Sequence, residues 1–152
     1  MANNRTYTSR RANILNALAL ELKNIDGSGA FLTDVSNNVE TRLKFWDEVQ
    51  DFPAIHLNAG SETRDYQAGG YKDRYLSVTV RCYVSDDEDA TEALNLLMED
   101  IETVLEDNSR LKYYDAMNNE YHTQQITIIS ITTDEGVLDP LGVGELEIEV
   151  RY

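Results

Sequence analysis

Hydrophobic and polar positions along the chain fall into a few periodic stretches. In residues 74–84, Leu76, Val78, Val80, Cys82 and Val84 alternate with Ser77, Thr79, Arg81 and Tyr83, the period-two signature of a strand buried on one face. Directly after it, Ala90, Ala93, Leu94, Leu97, Met98, Ile101, Val104 and Leu105 recur at three- and four-residue spacing, with Glu99, Asp100, Glu102 and Glu106 between them. That spacing predicts an amphipathic helix with the four acids on its solvated side, lying back on the strand. The intervening Ser85-Asp86-Asp87-Glu88-Asp89 offers short acceptors for the first N–H groups of the helix and negative charge for the positive end of its dipole.

Earlier in the chain, Ile14, Leu15, Leu18, Ala19, Leu22 and Ile25 predict a first helix of about four turns, capped by Ser9 and stopped at Asp26-Gly27-Ser28-Gly29. The first eight residues lack periodicity and read as a mobile arm. Residues 30–35 and 39–43 flank the turn signal Ser36-Asn37-Asn38 and form two short strands, or one strand and a bend. One or two helical turns over residues 44–51 are expected to bury Phe45, Trp46 and Val49, with Trp46 as a core anchor. Pro53 then opens a strand over residues 54–58.

The fifteen residues 59–73 contain three glycines and no apolar alternation, which predicts a long loop at the tip of a hairpin. Residues 108–125 lack a period and read as another loop. The Ile/Thr-rich stretch 125–133 reads as a strand, followed by turn chemistry at residues 134–136 and 139–142. The chain ends on the alternation of Leu146, Ile148, Val150 and Tyr152 with Glu145, Glu147, Glu149 and Arg151. The expected architecture is a single α+β domain over residues 1–152, with a mixed, mostly antiparallel sheet, a long hairpin and two main flanking helices.

Composition adds an asymmetry. Residues 1–84 hold ten basic against ten acidic side chains, and residues 85–152 three against eighteen, so the second half carries the whole formal charge of −15. Such a surface favours solubility and opposes nonspecific adhesion to nucleic acid. No apolar run is long enough to span a bilayer and the N-terminus lacks a leader pattern, so synthesis in the cytosol without membrane attachment is expected. Cys82 lies on the apolar side of its strand and reads as a small buried hydrophobe.

Candidate chemistry is sparse. His56 and His122 form no local ligand pair, and the run 86–89 lacks the spacing of a calcium loop. No phosphate loop, nucleophile elbow or placed carboxylate pair occurs, so no catalytic residue, metal or cofactor is assigned. The hairpin tip differs: Arg64, Tyr66, Tyr71, Lys72, Arg74 and Tyr75 combine charge with amphipathic rings, a composition enriched at protein contacts. Glu62, Asp65 and Asp73 offset the local positive charge and weigh against a nucleic-acid surface.

The order of these pieces, namely an N-terminal helix, a Trp-containing segment leading to Phe52-Pro53-Ala54-Ile55, a long hairpin ending in residues 76–84, an acid-capped helix and a terminal hairpin ending in Tyr152, resembles the tail terminator, or tail completion, proteins of long-tailed bacteriophages. The likeness covers nearly the whole chain. It implies a structural, non-enzymatic virion protein of the tail or neck, assembled in the host cytoplasm, that forms a six-membered ring on the last ring of the tail tube. Such a ring ends tube growth, docks the head connector and lets DNA pass without specific binding. On this reading Arg64, Tyr66, Tyr71, Lys72 and Arg74 contact neighbouring subunits or the tube, and Glu145, Glu147 and Glu149 face the lumen. The N-terminal arm, with Arg5, Arg10 and Arg11, is a second contact candidate. Another head-to-tail joining protein, or a small hydrolase or ligand-binding module that gathers His56, His122 and a carboxylate in one pocket, are the alternatives.

Overall fold

The computed structural model describes residues 10–35 and 38–152. The proposed arm, the Ser9 cap and most of the turn signal at residues 36–38 lie outside the described residues. Helix α1 spans Arg11–Leu22, with Arg10 at its N-cap position. Next come the two-residue strand β1 (Val39–Glu40), a 3-10 turn (Trp46–Glu48), and the long strands β2 (Ala54–Tyr66) and β3 (Lys72–Ser85). Helix α2 (Ala90–Asp107) leads to the short strands β4 (Lys112–Tyr114) and β5 (Glu120–His122), and the chain closes on β6 (Gln125–Thr133) and β7 (Leu141–Arg151).

Five strands form a mixed sheet in the order β1-β2-β3-β7-β6, in which only β1 and β2 run parallel. The expected α+β class, with a mostly antiparallel sheet, a long hairpin and two main helices, is the observed one. Leu76, Val78 and Val80 of β3 stand opposite Val150, Ile148 and Leu146 of β7, and all six are buried. Both helices cover this face: α2 packs on β3 and β7, and α1 on β2, β4 and α2. Ile14, Leu18 and Leu22 join Leu94, Leu97 and Ile101 in one apolar core with Ile55 and Leu57. The opposite face of the sheet carries Thr79, Arg81, Tyr83, Glu145, Glu147 and Glu149, and among the described residues neither α1 nor α2 packs on it.

Close contact between α2 and β7 depends on two glycines. A Cβ on Gly142 would stand 2.8 Å from a Val84 methyl and 3.2 Å from the Ala90 carbonyl; one on Gly144 would stand 2.8 Å from the Met98 sulfur. β7 begins at Leu141, so Leu141 and Gly142 are strand residues and not part of the turn expected over residues 139–142. Cys82 is fully buried, as its strand position implied, and burial pushes its thiol up to about 12.

The acidic run before α2 caps it as expected. Asp89 accepts from the Glu92 N–H at 3.0 Å, and Asp86 accepts from the N–H groups of Glu88 and Asp89. Those two bonds hold the Asp86 carboxyl below its ordinary range.

Four expectations are corrected. Asp100 is not on the solvated side of α2: it is 2% exposed and accepts from the N–H groups of Leu32 and Thr33 and from the Thr33 hydroxyl, at 2.6–3.0 Å. Trp46 and Phe45 are not core residues, being 47% and 73% exposed on a surface 3-10 turn. Most of residues 59–73 is not loop but regular hairpin, paired out to Tyr66 and Lys72. Within residues 108–125, β4 and β5 form a two-stranded sheet of their own, tied to α1 by the Asn13 amide, which donates to the Tyr114 carbonyl.

Candidate assembly surfaces

The β2–β3 hairpin is longer than the sheet that supports it. β7 pairs with β3 only as far as Tyr75 opposite Arg151, followed by two bonds between the backbones of Arg74 and Tyr152. Beyond that point the Asp65↔Asp73 and Tyr66↔Lys72 pairs continue as a two-stranded ribbon. A tight turn closes it, in which Gly69 and Gly70 take φ of +82° and +85°, a region open to glycine. A register shift between Ala59 and Glu62, opposite Leu76–Val78 where β7 still pairs with β3, bends β2 before the ribbon leaves the sheet.

The five residues singled out on this hairpin do not form one surface. Tyr66 and Tyr71 stand 69% and 76% exposed at the tip, with the Lys72 ammonium 5.7 Å from the Tyr66 ring. Arg64 sits lower and pairs with Glu62 at 2.8 Å. Arg74 is only 6% exposed and stacks over Tyr152 at 5.4 Å, so it belongs to the base of the hairpin and offers no surface to a neighbour.

That base is a cluster the sequence did not reveal. Arg10 lies over the rings of Tyr121 and Tyr152 at 4.3 and 5.1 Å, and Arg11 donates to the Gly60 carbonyl. The Tyr152 hydroxyl donates to the Glu62 carboxylate. Burial pushes Glu62 up, but its bonds to Tyr152 and Arg64 outweigh this and hold it below the ordinary range. Burial and the Glu62 carboxylate raise the Tyr152 phenol. Arg10 and Arg11 are thus engaged within the chain, and Arg5 lies outside the described residues.

Glu145, Glu147 and Glu149 share the helix-free face and are all half-buried. Arg81, directly opposite Glu145 across the β3–β7 ladder, grips one of its oxygens with two nitrogens at 2.8 and 3.0 Å. Thr79 donates to Glu147 at 2.9 Å. Burial, together with the adjacent Glu145, still raises the Glu147 carboxyl.

At the far end of the same face, residues 43–51 fold over the sheet and Tyr83 donates to the Lys44 carbonyl at 2.7 Å. Between this segment and the β6–β7 turn lies an open groove of about 370 Å³, lined by Phe45, Trp46, Leu138 and Val143 and floored by Tyr83 and the Arg81–Glu145 pair.

His56 and His122 do not meet in one pocket. His56 is buried against Tyr83 beside Glu40, and its Nδ1 has no hydrogen-bond partner among the described residues. The small pocket it lines, with Glu48 and Asp51, excludes His122, which is exposed on β5.

A family model described as bacteriophage tail tube terminator protein matches residues 8–152, which takes in every element from α1 to the C-terminal tyrosine. The chain belongs to that family. It is also 29% identical over 136 residues to the tail tube terminator protein p142 of Escherichia phage T5, covering 86% of this chain and 84% of the relative. A chain in the virion of a native gene transfer agent particle has the same fold, with a TM-score of 0.60 over 92% of this chain and 94% of that one, at 7% identity. Tail tube terminators are structural virion proteins.

Proposed function

We propose that this protein caps the growing end of a phage tail tube as a ring of six identical subunits, stops tube growth and presents the docking surface for the head connector. The observation that carries the reading is the family match across all of the described elements, supported by a relative aligned over 84% of its own length. The role is non-enzymatic and needs no cofactor. Subunits are made and assembled in the host cytoplasm and remain in the tail or neck of the virion.

Two surfaces suit the parts of this task. The tip of the hairpin, with Tyr66, Tyr71 and Lys72, projects beyond the sheet and supplies the assembly contacts. The end of the sheet face that carries Glu147 and Glu149 turns to the lumen, where negative charge keeps phosphate from adhering as DNA passes, while Glu145 is held by Arg81 at the groove. The test is tube polymerisation from purified tube protein, with length read by negative-stain imaging. Adding the full chain yields short tubes with a ring at one end. A variant in which residues 66–72 are replaced by Asn-Gly, which keeps the Asp65↔Asp73 pair, folds but leaves tube length uncontrolled. Retained capping by that variant removes the hairpin from the contact set. Binding to a purified connector ring but never to tube ends assigns the chain to head-to-tail joining instead. Reversing Glu147 and Glu149 to Lys should slow DNA release from assembled particles; unchanged release places the lumen elsewhere.

A further inference from the structure

The groove beside Trp46 is not explained by folding of the chain itself. Phe45 and Trp46 hold 73% and 47% of their surface in solvent, and Val137, next in the chain to the groove-lining Leu138 in the β6–β7 turn, is 81% exposed. The hairpin tip presents the complementary feature, two exposed tyrosines on a projecting ribbon. We infer that the two are halves of one contact: the tip of one copy, led by Tyr71 and Tyr66, seats in the Phe45–Trp46 groove of the next copy around the ring. This rests on the ring reading above and supplies its subunit interface.

The tip cannot fill its own groove. Lys72 and Tyr83 lie at opposite ends of β3, and eleven residues of extended strand span about 35 Å. The occupant therefore comes from a second molecule. A projection at one end and a recess at the other make a heterologous pair, the kind that propagates head to tail and closes into rings rather than stopping at a two-fold dimer. Charge permits the same pairing. The tip balances Lys72 and Arg64 against Asp65 and Asp73, so it brings no net negative charge to a groove in which Arg81 offsets Glu145 and leaves Asp134. The groove's size, about 370 Å³, admits a phenol ring, and aromatic contacts of this type concentrate interface energy.

The test is disulfide trapping in the full chain, in solution and on tube ends, with Tyr71→Cys and Val137→Cys. Both positions are exposed, so folding is unaffected, and the native Cys82 is buried. The double variant should give, on mild oxidation, a ladder of covalent oligomers that ends at the ring. An equimolar mixture of the two single variants should stop at dimers, because each mixed pair holds one engineered tip and one engineered groove. Each single variant alone should stay uncrosslinked. A double variant that yields no ladder, either in solution or on tube ends, overturns the pairing, as does a ladder formed equally by one single variant alone. Capped tubes without a ladder sink this interface and leave the capping role intact; a ladder from a protein that never caps tubes does the reverse. As an independent check, Phe45→Ser/Trp46→Ser should weaken self-association at least tenfold; an unchanged sedimentation profile contradicts the proposal.

Discussion

Asp100 gives the most quantitative test of how this fold is held together. Its carboxylate is buried in α2 and receives the Leu32 N–H at 3.0 Å, the Thr33 N–H at 2.7 Å and the Thr33 hydroxyl at 2.6 Å. These bonds tie the segment between α1 and β1 to the middle of α2. Replacing Asp100 with Ala removes the acceptor and strands two backbone donors. Hydrogen bonds to a charged group contribute about 1.5–3 kcal/mol each, and an orphaned buried donor costs about 1–3 kcal/mol. Two effects reduce the sum: Leu32 is 58% exposed, so water reaches part of the site, and the desolvation of a buried carboxylate is relieved. The net expectation is a loss of about 2–4 kcal/mol, read by urea unfolding followed by circular dichroism. In a chain of this length that lowers Tm by about 4–16 °C. Asp100→Asn, which keeps one acceptor oxygen, should fall between Ala and wild type, while exposed Glu99→Ala should stay within about 0.5 kcal/mol of it. Hydrogen exchange at Leu32 and Thr33 should accelerate in Asp100→Ala. A loss below about 1 kcal/mol with both amides still protected would refute the anchoring role.

Three further outcomes follow from the same contacts. Gly142→Ala should destabilise by about 1–3 kcal/mol, because its Cβ meets a methyl and a backbone carbonyl that cannot both yield, whereas Gly60→Ala, with nothing nearer than 3.6 Å, should be close to neutral in the same denaturation assay. Burial lowers the His56 imidazole despite the attraction of Glu40, with Lys44, Arg42 and Arg81 pushing the same way as burial. The unfolded chain then binds a proton that the folded one does not, so stability is full above the unfolded value near 6.5 and falls as pH drops below it; His56→Phe should flatten that slope in a pH series of Tm. Tyr152→Phe keeps the ring under Arg74 but removes the donor to Glu62, and should cost about 1 kcal/mol with faster exchange confined to the hairpin base.

What the sequence made legible is the part of the fold with one dry face and one wet face. Alternation in β3 and β7 and the stripe of α2 each report a boundary between core and solvent, and the structure places those boundaries where the pattern put them. After Ala59 the β2 strand runs along the sheet edge with most of its side chains in solvent, and its buried member is the polar Glu62, so period-two apolar alternation has no cause to appear and a regular ribbon reads as loop. Strands β4 and β5, three residues each, are too short to show any period. Asp100 was misplaced because a carboxylate on the edge of an apolar stripe is normally solvated. Its partners lie 67 and 68 residues away, and no local rule connects them. Trp46 was misplaced for the opposite reason: a large apolar ring is normally inside, and here it lies on a surface turn.

These misreadings share a direction that bears on function. An isolated two-stranded ribbon is marginally stable in water, yet here the ribbon is braced at its base by Arg10, Arg74, Glu62 and Tyr152, four residues drawn from both ends of the chain and from both hairpin strands. Bracing at the base leaves the tip exposed while fixing the angle at which it leaves the sheet. A contact arm held this way loses little conformational freedom on docking, so more of its aromatic burial appears as affinity. The same argument applies to the groove, whose far wall is set by the Tyr83 bond to Lys44 before any partner arrives. In both places polar side chains spend their hydrogen bonds inside the subunit and leave aromatic rings outside. That division suits the ring proposed above, in which each subunit folds on its own contacts and meets the next copy through rings left outside.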